Sequence, residues 1–281
     1  MIIDGKALAQ QMRAQTAVRI SALKARGVSV GFAAVLVGDH APSVLYVRNK
    51  LQAMEKAGIA ARVARLEARA SLDEVLSTIA GFNNDPSIHG ILLQLPLPQH
   101  LTAEKNRLIN AISPEKDVDG LTLINVGKRT LGLSCLLPCT PKGCMRLIHS
   151  VEKDISGASA LVIGRSDLVG KPMAQLLLRE GCTVTQAHAQ THNIPELCGQ
   201  ADIIVAAIGQ PQFVQGSWIK KGSIVIDVGI NRIGEQLIGD VDFESARRFA
   251  RAITPVPGGV GPMTIACLLE NTVEAAESLY H

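Results

Sequence analysis

The chain has 281 residues, 47% hydrophobic and 19% charged, a globular composition long enough for two domains that excludes a disordered chain. Twenty-eight basic and twenty-five acidic side chains leave a net charge of only +3, with no Lys/Arg block and 3% aromatics, so neither a nucleic-acid surface nor a base-stacking platform is expected. No apolar run approaches the ~18 residues of a membrane span, and Met1-Ile2-Ile3 passes straight to Asp4 and Lys6, so a cytosolic protein without a signal peptide is expected.

From Asp4 to Arg26 the spacing of Leu8, Met12, Val18, Ile20 and Leu23 predicts a helix that stops at Gly27, and Val30 to Val37 then reads as a buried strand. The next helix, Ser43 to Gly58, opens at Pro42. Val44, Val47, Leu51 and Met54 form its apolar stripe, while Asn49, Gln52 and Lys56 point the opposite way. Tyr46 and Lys50, four residues apart, are neighbours on the shoulder between stripe and solvent. A lysine partly desolvated there can act as an acid or base near neutrality. The same pattern also describes an ordinary amphipathic helix with a snorkelling lysine, and on the helix alone both readings stand.

A strand near Ala61 to Leu66 is followed by a helix opened by Ser71, with Glu74 three residues on as a capping box, and broken by Asn83-Asn84-Asp85-Pro86. Ile88 to Leu93 is the next buried strand. It delivers Gln94 at its carboxyl end, where ligands sit in open α/β sheets, although a strand-end amide can equally serve a loop. After a helix around Thr102 to Ala111, the turn Asp117-Val118-Asp119-Gly120 carries two acids two apart; such residues before glycine commonly just stabilise the turn. Leu136 to Gly143 reads as a linker opening a helix that runs to about Ser150. Cys135, Cys139 and Cys144 are interrupted by Pro138 and Pro141, and with Cys182, Cys198 and Cys267 they form no C-x-x-C. Reduced thiols and no metal site are expected.

Ser159 to Pro172 then reads as strand, tight turn and helix, a dinucleotide-binding turn with Gly164 and Gly170 in place and Ser166 at the second glycine position of G-x-G-x-x-G. Strands at Thr183 to Ala187, Asp202 to Ala207 and Ser223 to Val228, with a helix ending about Cys198, extend it into a β-α-β-α-β series of buried parallel strands. The second of these strands ends His188-Ala189-Gln190 and has no acid to grip an unphosphorylated ribose. That favours a 2′-phosphorylated cofactor, with Arg165 as the nearest arginine. Finally Thr254 to Pro262, stiffened by prolines and rich in glycine, lets a ligand approach the backbone and leads into a helix from Met263 to about Tyr280.

S-V-L-Y-V-R-N-K, Q-L-P-L-P, P-E-K-D-V-D-G, P-C-T-P-K-G, V-I-G-R-S-D-L-V-G-K-P, V-I-D-V-G-I-N and P-V-P-G-G-V-G-P-M-T together resemble the bifunctional methylenetetrahydrofolate dehydrogenase/methenyltetrahydrofolate cyclohydrolase family of one-carbon metabolism, nearly end to end. The resemblance implies two α/β domains around a cleft: a folate-binding domain of residues 1–119 plus the returning helix 262–281, and a Rossmann-like NADP domain of residues 120–261 with a parallel sheet. It also implies a homodimer. Carried over, Tyr46 would stack on the pterin, Lys50 would be the catalytic ammonium, Gln94 would bond to and tune it, and Asp119 would bind the pterin edge. Gly164, Arg165 and Ser166 would cradle the cofactor phosphates, Ile230 would line the nicotinamide side, and Pro257, Gly258, Gly259 and Gly261 would border the folate. Family members often carry Ser-Lys where this chain has Ala189-Gln190, so a modest preference for NADP over NAD is expected.

Short-chain dehydrogenases also use Y-x-x-x-K, but there the pair follows the Rossmann glycines, whereas Tyr46 precedes Gly164 by well over a hundred residues. A non-catalytic folate or nucleotide binding module would share the fold. Such a module has no use for the Lys50 ammonium beside Tyr46, Gln94 and Asp119.

Overall fold

A computed structural model of the chain describes residues 1–280. It runs α1 (Gly5–Ala25), β1 (Gly31–Val37), α2 (Ala41–Lys56), β2 (Ala60–Leu66), α3 (Leu72–Asn84), β3 (Gly90–Leu93), α4 (Lys105–Asn110), α5 (Leu123–Thr130), α6 (Cys139–His149), β4 (Ser159–Ile163), α7 (Gly170–Arg179), β5 (Thr183–Ala187), α8 (Ile194–Gln200), β6 (Ile203–Ala206), β7 (Ile224–Asp227), β8 (Asn231–Ile233), β9 (Gln236–Ile238), α9 (Phe243–Ala246), β10 (Ala252–Ile253) and α10 (Val260–Leu279). Two compact units emerge, Gln11–Cys139 with the chain from Leu268 onward, and Met1–Gln10 with Thr140–Cys267.

The first unit is built on a parallel sheet of order β2-β1-β3. All of β1 and β3 is buried, which is why both read as continuous apolar runs. Because β2 and β3 flank β1 on opposite sides, the chain changes direction between β1 and β3, and the carboxyl ends of those two strands form a switch point. Val35, Ile79, Ile91, Leu93 and Leu108 share the core beneath it. The Ser71–Glu74 capping box that opens α3 is present in both directions, at 3.2 and 2.7 Å. At the other end of α3 the buried Lys116 ammonium donates to the carbonyls of Phe82, Asn83 and Asp85, which supplies the partners that the helix end lacks.

His89, just before β3, is buried, and its Nδ1 accepts the Gly31 N–H at 3.0 Å. Nε2 has no hydrogen-bond partner. Burial first, and the Lys116 charge second, hold the imidazole below its ordinary 6.5, against a weaker pull from Asp85. The folded ring is therefore neutral where the unfolded one begins to protonate, so its contribution to stability is complete above about pH 6.5 and is lost as the pH falls towards the lowered value. His89→Asn keeps an acceptor in place of Nδ1 and cannot titrate. Denaturant unfolding from about pH 7 down to about pH 5 should show a shallower acid loss for this variant; superimposable pH profiles would contradict the assignment.

The second unit is a five-stranded parallel sheet of order β10-β7-β6-β4-β5, with a small antiparallel hairpin of β8 and β9. Here the switch point lies between the carboxyl ends of β4 and β6. Leu161, Ile163, Ile204, Val225 and Ile253 form the core behind it, and Phe213 meets Trp218 edge to face at 5.5 Å.

Both units divide away from the 119/120 and 261/262 positions expected from the sequence. Residues 120–139 pack with the first unit because Asn271 Nδ2 donates to Val118 O and Leu137 O, both at 2.7 Å. The first ten residues pack with the second because Ile2 bridges Ile253 and the Ile3 N–H donates to Ile253 O at 2.8 Å.

The helix expected at 102–111 is a 3-10 turn, Gln99–Leu101, followed by the shorter α4, and α5, the β8–β9 hairpin, α9 and β10 are additions to the predicted set. No helix among the described residues is long and apolar enough to cross a membrane, and no cluster of His, Cys, Asp or Glu among them could hold a metal.

Candidate active site

In α2 the predicted stripe is realised: Ser43, Val47 and Met54 are buried, and Val44 and Leu51 partly so, while Asn49, Gln52 and Lys56 face solvent. Lys50 sits part-buried on the shoulder and donates from Nζ to Gln94 Oε1 at 3.1 Å. Gln94 is held at the end of β3 by its own N–H, which donates to Val35 O at 2.9 Å, and by Nε2, which donates to Leu95 O at 2.6 Å. With Nε2 committed to a carbonyl, Oε1 is the atom left to face the ammonium. Gln94 is the one hydrogen-bond partner of Lys50 among the described residues, so two of the three ammonium donors stay available to a ligand. Tyr46, one turn before Lys50, is 47% exposed and presents its ring unpaired.

The two acids of the Asp117–Gly120 turn divide their work. Asp117 is buried, accepts from Thr122 N and Asn125 Nδ2 at 2.8 and 2.9 Å, and is the turn stabiliser expected of an acid before glycine. Burial raises its carboxyl above the ordinary range. Asp119 is only partly buried and accepts no hydrogen bond from the described residues. A parallel bridge from Ile91 to Asp117 runs its segment alongside β3, towards the strand end that delivers Gln94. Three groups not anticipated from sequence fix that segment: Asn271 Nδ2 and Cys139 Sγ donate to Val118 O, and the buried Arg129 donates from Nη1 to Gly120 O at 3.1 Å. Their partners are main-chain carbonyls, which leave no mark in a sequence.

In the second unit Gly164 ends β4 at φ +137°, and a Cβ there would collide with Ala207 O across the switch point. A Cβ at Gly170 would likewise strike Gly164 O, so strand and helix approach as closely as a dinucleotide turn requires. The start of α7 is closed off by Ser166, whose Oγ accepts from Val169 N and Gly170 N at 3.2 and 3.3 Å, and whose carbonyl accepts from Lys171 N at 3.0 Å. Among the described residues, the backbone N–H groups left open are therefore those of Arg165, Ser166 and Leu168 in the turn, rather than those of the first helical residues. Arg165 is exposed and makes no ion pair with the described residues. Gln186, unremarked in the sequence, donates to Gly164 O at 2.9 Å and steadies the turn. Beyond β5, His188 accepts the Gln190 N–H, and Ala189 and Gln190 are exposed without supplying a cation.

Ile230, past the end of β7, is 48% exposed and lies 3.9 Å from where a Gly261 Cβ would stand. In the proline-glycine loop, Gly258 has φ +113° and the Gly259 N–H donates to Pro255 O at 2.9 Å. The loop is backed by Gly5, where a Cβ would collide with Gly259 O. That contact explains a glycine in the first turn of α1, which in the sequence looks like an unremarkable helix start.

A glycine turn with open backbone N–H groups at one sheet's switch point, an exposed arginine beside it and a lysine bonded to a strand-end amide at the switch point of the other sheet are features of a dinucleotide-binding α/β enzyme. The family model for the tetrahydrofolate dehydrogenase/cyclohydrolase catalytic domain matches residues 3–119, and that for the family's NAD(P)-binding domain matches residues 138–280. The chain is 53% identical over 279 residues to bifunctional protein FolD 2 of Paracoccus denitrificans, covering 98% of this chain and 92% of that protein. Among solved structures, the bifunctional FolD enzyme of Campylobacter jejuni matches with a TM-score of 0.97 at 44% identity, covering 99% of both chains. The Trypanosoma brucei enzyme, solved with NADP and an inhibitor, matches with a TM-score of 0.96 at 35% identity, covering 100% of this chain and 98% of that one. The chain belongs to the tetrahydrofolate dehydrogenase/cyclohydrolase family.

Proposed function

We infer that this protein carries out both reactions of its family: NADP-dependent oxidation of 5,10-methylenetetrahydrofolate to the 5,10-methenyl form, and hydrolysis of that form to 10-formyltetrahydrofolate. The observation that carries the reading is the Lys50–Gln94 pair at the β1/β3 switch point, in a chain that also holds a dinucleotide turn. NADP, when bound, supplies the hydride acceptor. The turn N–H groups of Arg165, Ser166 and Leu168 suit its phosphates, and the Arg165 guanidinium suits the 2′-phosphate. Ile230 offers an apolar wall to the nicotinamide.

On the folate side, Tyr46 presents its ring to the pterin, Asp119 accepts from the donor edge of the ring, and Pro257, Gly258, Gly259 and Gly261 leave backbone room for the substrate. In the hydrolysis, water forms a C–O bond at the methenyl carbon and loses a proton, while one C–N bond breaks and its nitrogen gains one. Lys50 is placed to move that proton, and Gln94 orients its ammonium. The functional division follows residues 1–119 plus 262–281 for folate and 120–261 for the dinucleotide. The protein works as a homodimer in the cytosol.

The direct test follows reduced nicotinamide and methenyl absorbance when purified protein meets methylenetetrahydrofolate with NADP or NAD. No signal with either cofactor refutes the reading. Arg165→Ala should remove most of the preference for NADP, lowering kcat/KM for NADP far more than for NAD; equal losses would show that Arg165 does not read the 2′-phosphate.

A further inference from the structure

Two buried carboxylates in the second unit, Asp227 and Asp240, have no place in the chemistry above, yet they are wired to its backbone. Asp227 ends β7: its Oδ1 accepts from Gly229 N and Asp240 N at 3.0 and 2.9 Å, and its Oδ2 from Val241 N at 2.9 Å. Asp240 is fully buried: its Oδ2 accepts from Ile208 N and Gly209 N at 2.7 and 2.9 Å, and its Oδ1 from Asn231 Nδ2 at 2.8 Å. Each acid also occupies the side-chain space of a glycine. A Cβ on Gly229 would collide with the Asp240 carboxylate, and one on Gly239 with the Asp227 carboxylate. The two Asp/Gly pairs therefore interlock, and the lock joins the end of β7 to the residues that return from the β8–β9 hairpin.

What Asp240 grips is informative. Ile208 and Gly209 follow β6 and form the edge of the β4/β6 switch point that faces Gly164, whose missing side chain already abuts Ala207 O. Asn231 immediately follows Ile230. A buried carboxylate accepting three donors is a stiff clamp, because losing it would leave buried N–H groups unpaired.

We infer that Asp240 is a positioning residue for the dinucleotide, fixing at once the β6 edge of the binding crevice at Ile208 and Gly209 and, through Asn231, the segment that carries Ile230. The inference rests on the reading that the β4/β6 switch point holds the cofactor. Asparagine at 240 has one acceptor where the site needs two, so either the two backbone amides or Asn231 must lose its partner and meet an NH₂ group.

The test is a fluorescence titration of NADP into the full-length wild type, Asp240→Asn and Asn231→Ala. Methenyl hydrolysis by the same samples reports the folded fraction, and amide exchange is read at Ile208 and Gly209. Asp240→Asn should raise the NADP Kd about tenfold or more, with faster exchange at both amides. Asn231→Ala should raise Kd by less and leave that exchange slow. If folded Asp240→Asn binds NADP within about twofold of wild type, the inference is overturned. Should that variant fail to fold, an unchanged Kd for Asn231→Ala overturns it and a raised one supports it. A wild type that binds no NADP would instead refute the reading of the switch point.

Discussion

Lys50→Met should all but abolish methenyl hydrolysis while leaving methylene oxidation measurable. Oxidation moves a hydride from the methylene carbon and leaves a cation shared by two nitrogens, and no proton is transferred in that step. Hydrolysis cannot avoid proton transfer, since water must lose a proton on attack and the departing nitrogen must gain one. A positioned acid/base typically contributes about 10² to 10⁴-fold to such a step. The proposed function assigns that role to Lys50, which is part-buried on α2 and donates a hydrogen bond from Nζ to Gln94 Oε1. Methionine matches its length and flexibility but donates nothing, so the remaining loss in oxidation reflects substrate positioning alone. Following methenyl decay and nicotinamide reduction separately distinguishes the two effects. Hydrolysis at an undiminished rate would rule Lys50 out and turn attention to a water held by Asp119.

Gly164→Ala should produce the opposite pattern. At φ +137° a side chain is strained by about 1 to 3 kcal/mol before any contact is counted, and the added Cβ meets Ala207 O, so the ends of β4 and β6 must part. The turn that presents the N–H groups of Arg165 and Ser166 then shifts, and NADP binding should weaken by roughly ten to a hundredfold, taking oxidation with it. Lys50, Gln94 and Asp119 belong to the other compact unit, so hydrolysis of supplied methenyl substrate should persist. NADP affinity equal to wild type in the folded variant would place the cofactor elsewhere.

Much of this site is legible in the sequence because its main elements obey local rules. The α2 stripe, the Ser71–Glu74 box and the buried strands ending at Gln94 and Gly164 all follow from periodicity, capping chemistry and strand-end glycines. The helix α5 escaped because Leu123 and Ile124 lie at its exposed start, so its apolar residues do not mark a buried face. The β8–β9 hairpin has three residues per strand, too few to show alternation. Asn271 and Asp240 act on main-chain groups far away along the chain, and Arg129 on the Gly120 carbonyl across a turn, so only folding brings the partners together. Even the Ser166 hydroxyl has a role that its position in a glycine motif does not announce, since it closes the helix start by accepting from Val169 N and Gly170 N.

The way the N-terminal segment completes the second unit has a consequence for how a ribosome makes this protein. Ile2 and Ile3 leave the exit tunnel well ahead of their hydrogen-bonding partner Ile253, which at about 5 to 20 residues per second follows tens of seconds later. The other unit waits as well. Its Arg19 pairs with Glu277 at 2.6 Å, and its Val118 carbonyl is claimed by Asn271, both on α10. Neither unit can therefore be completed before α10 has been made. Both α/β halves stay unfinished until that point, and closure of both falls to β10 and α10.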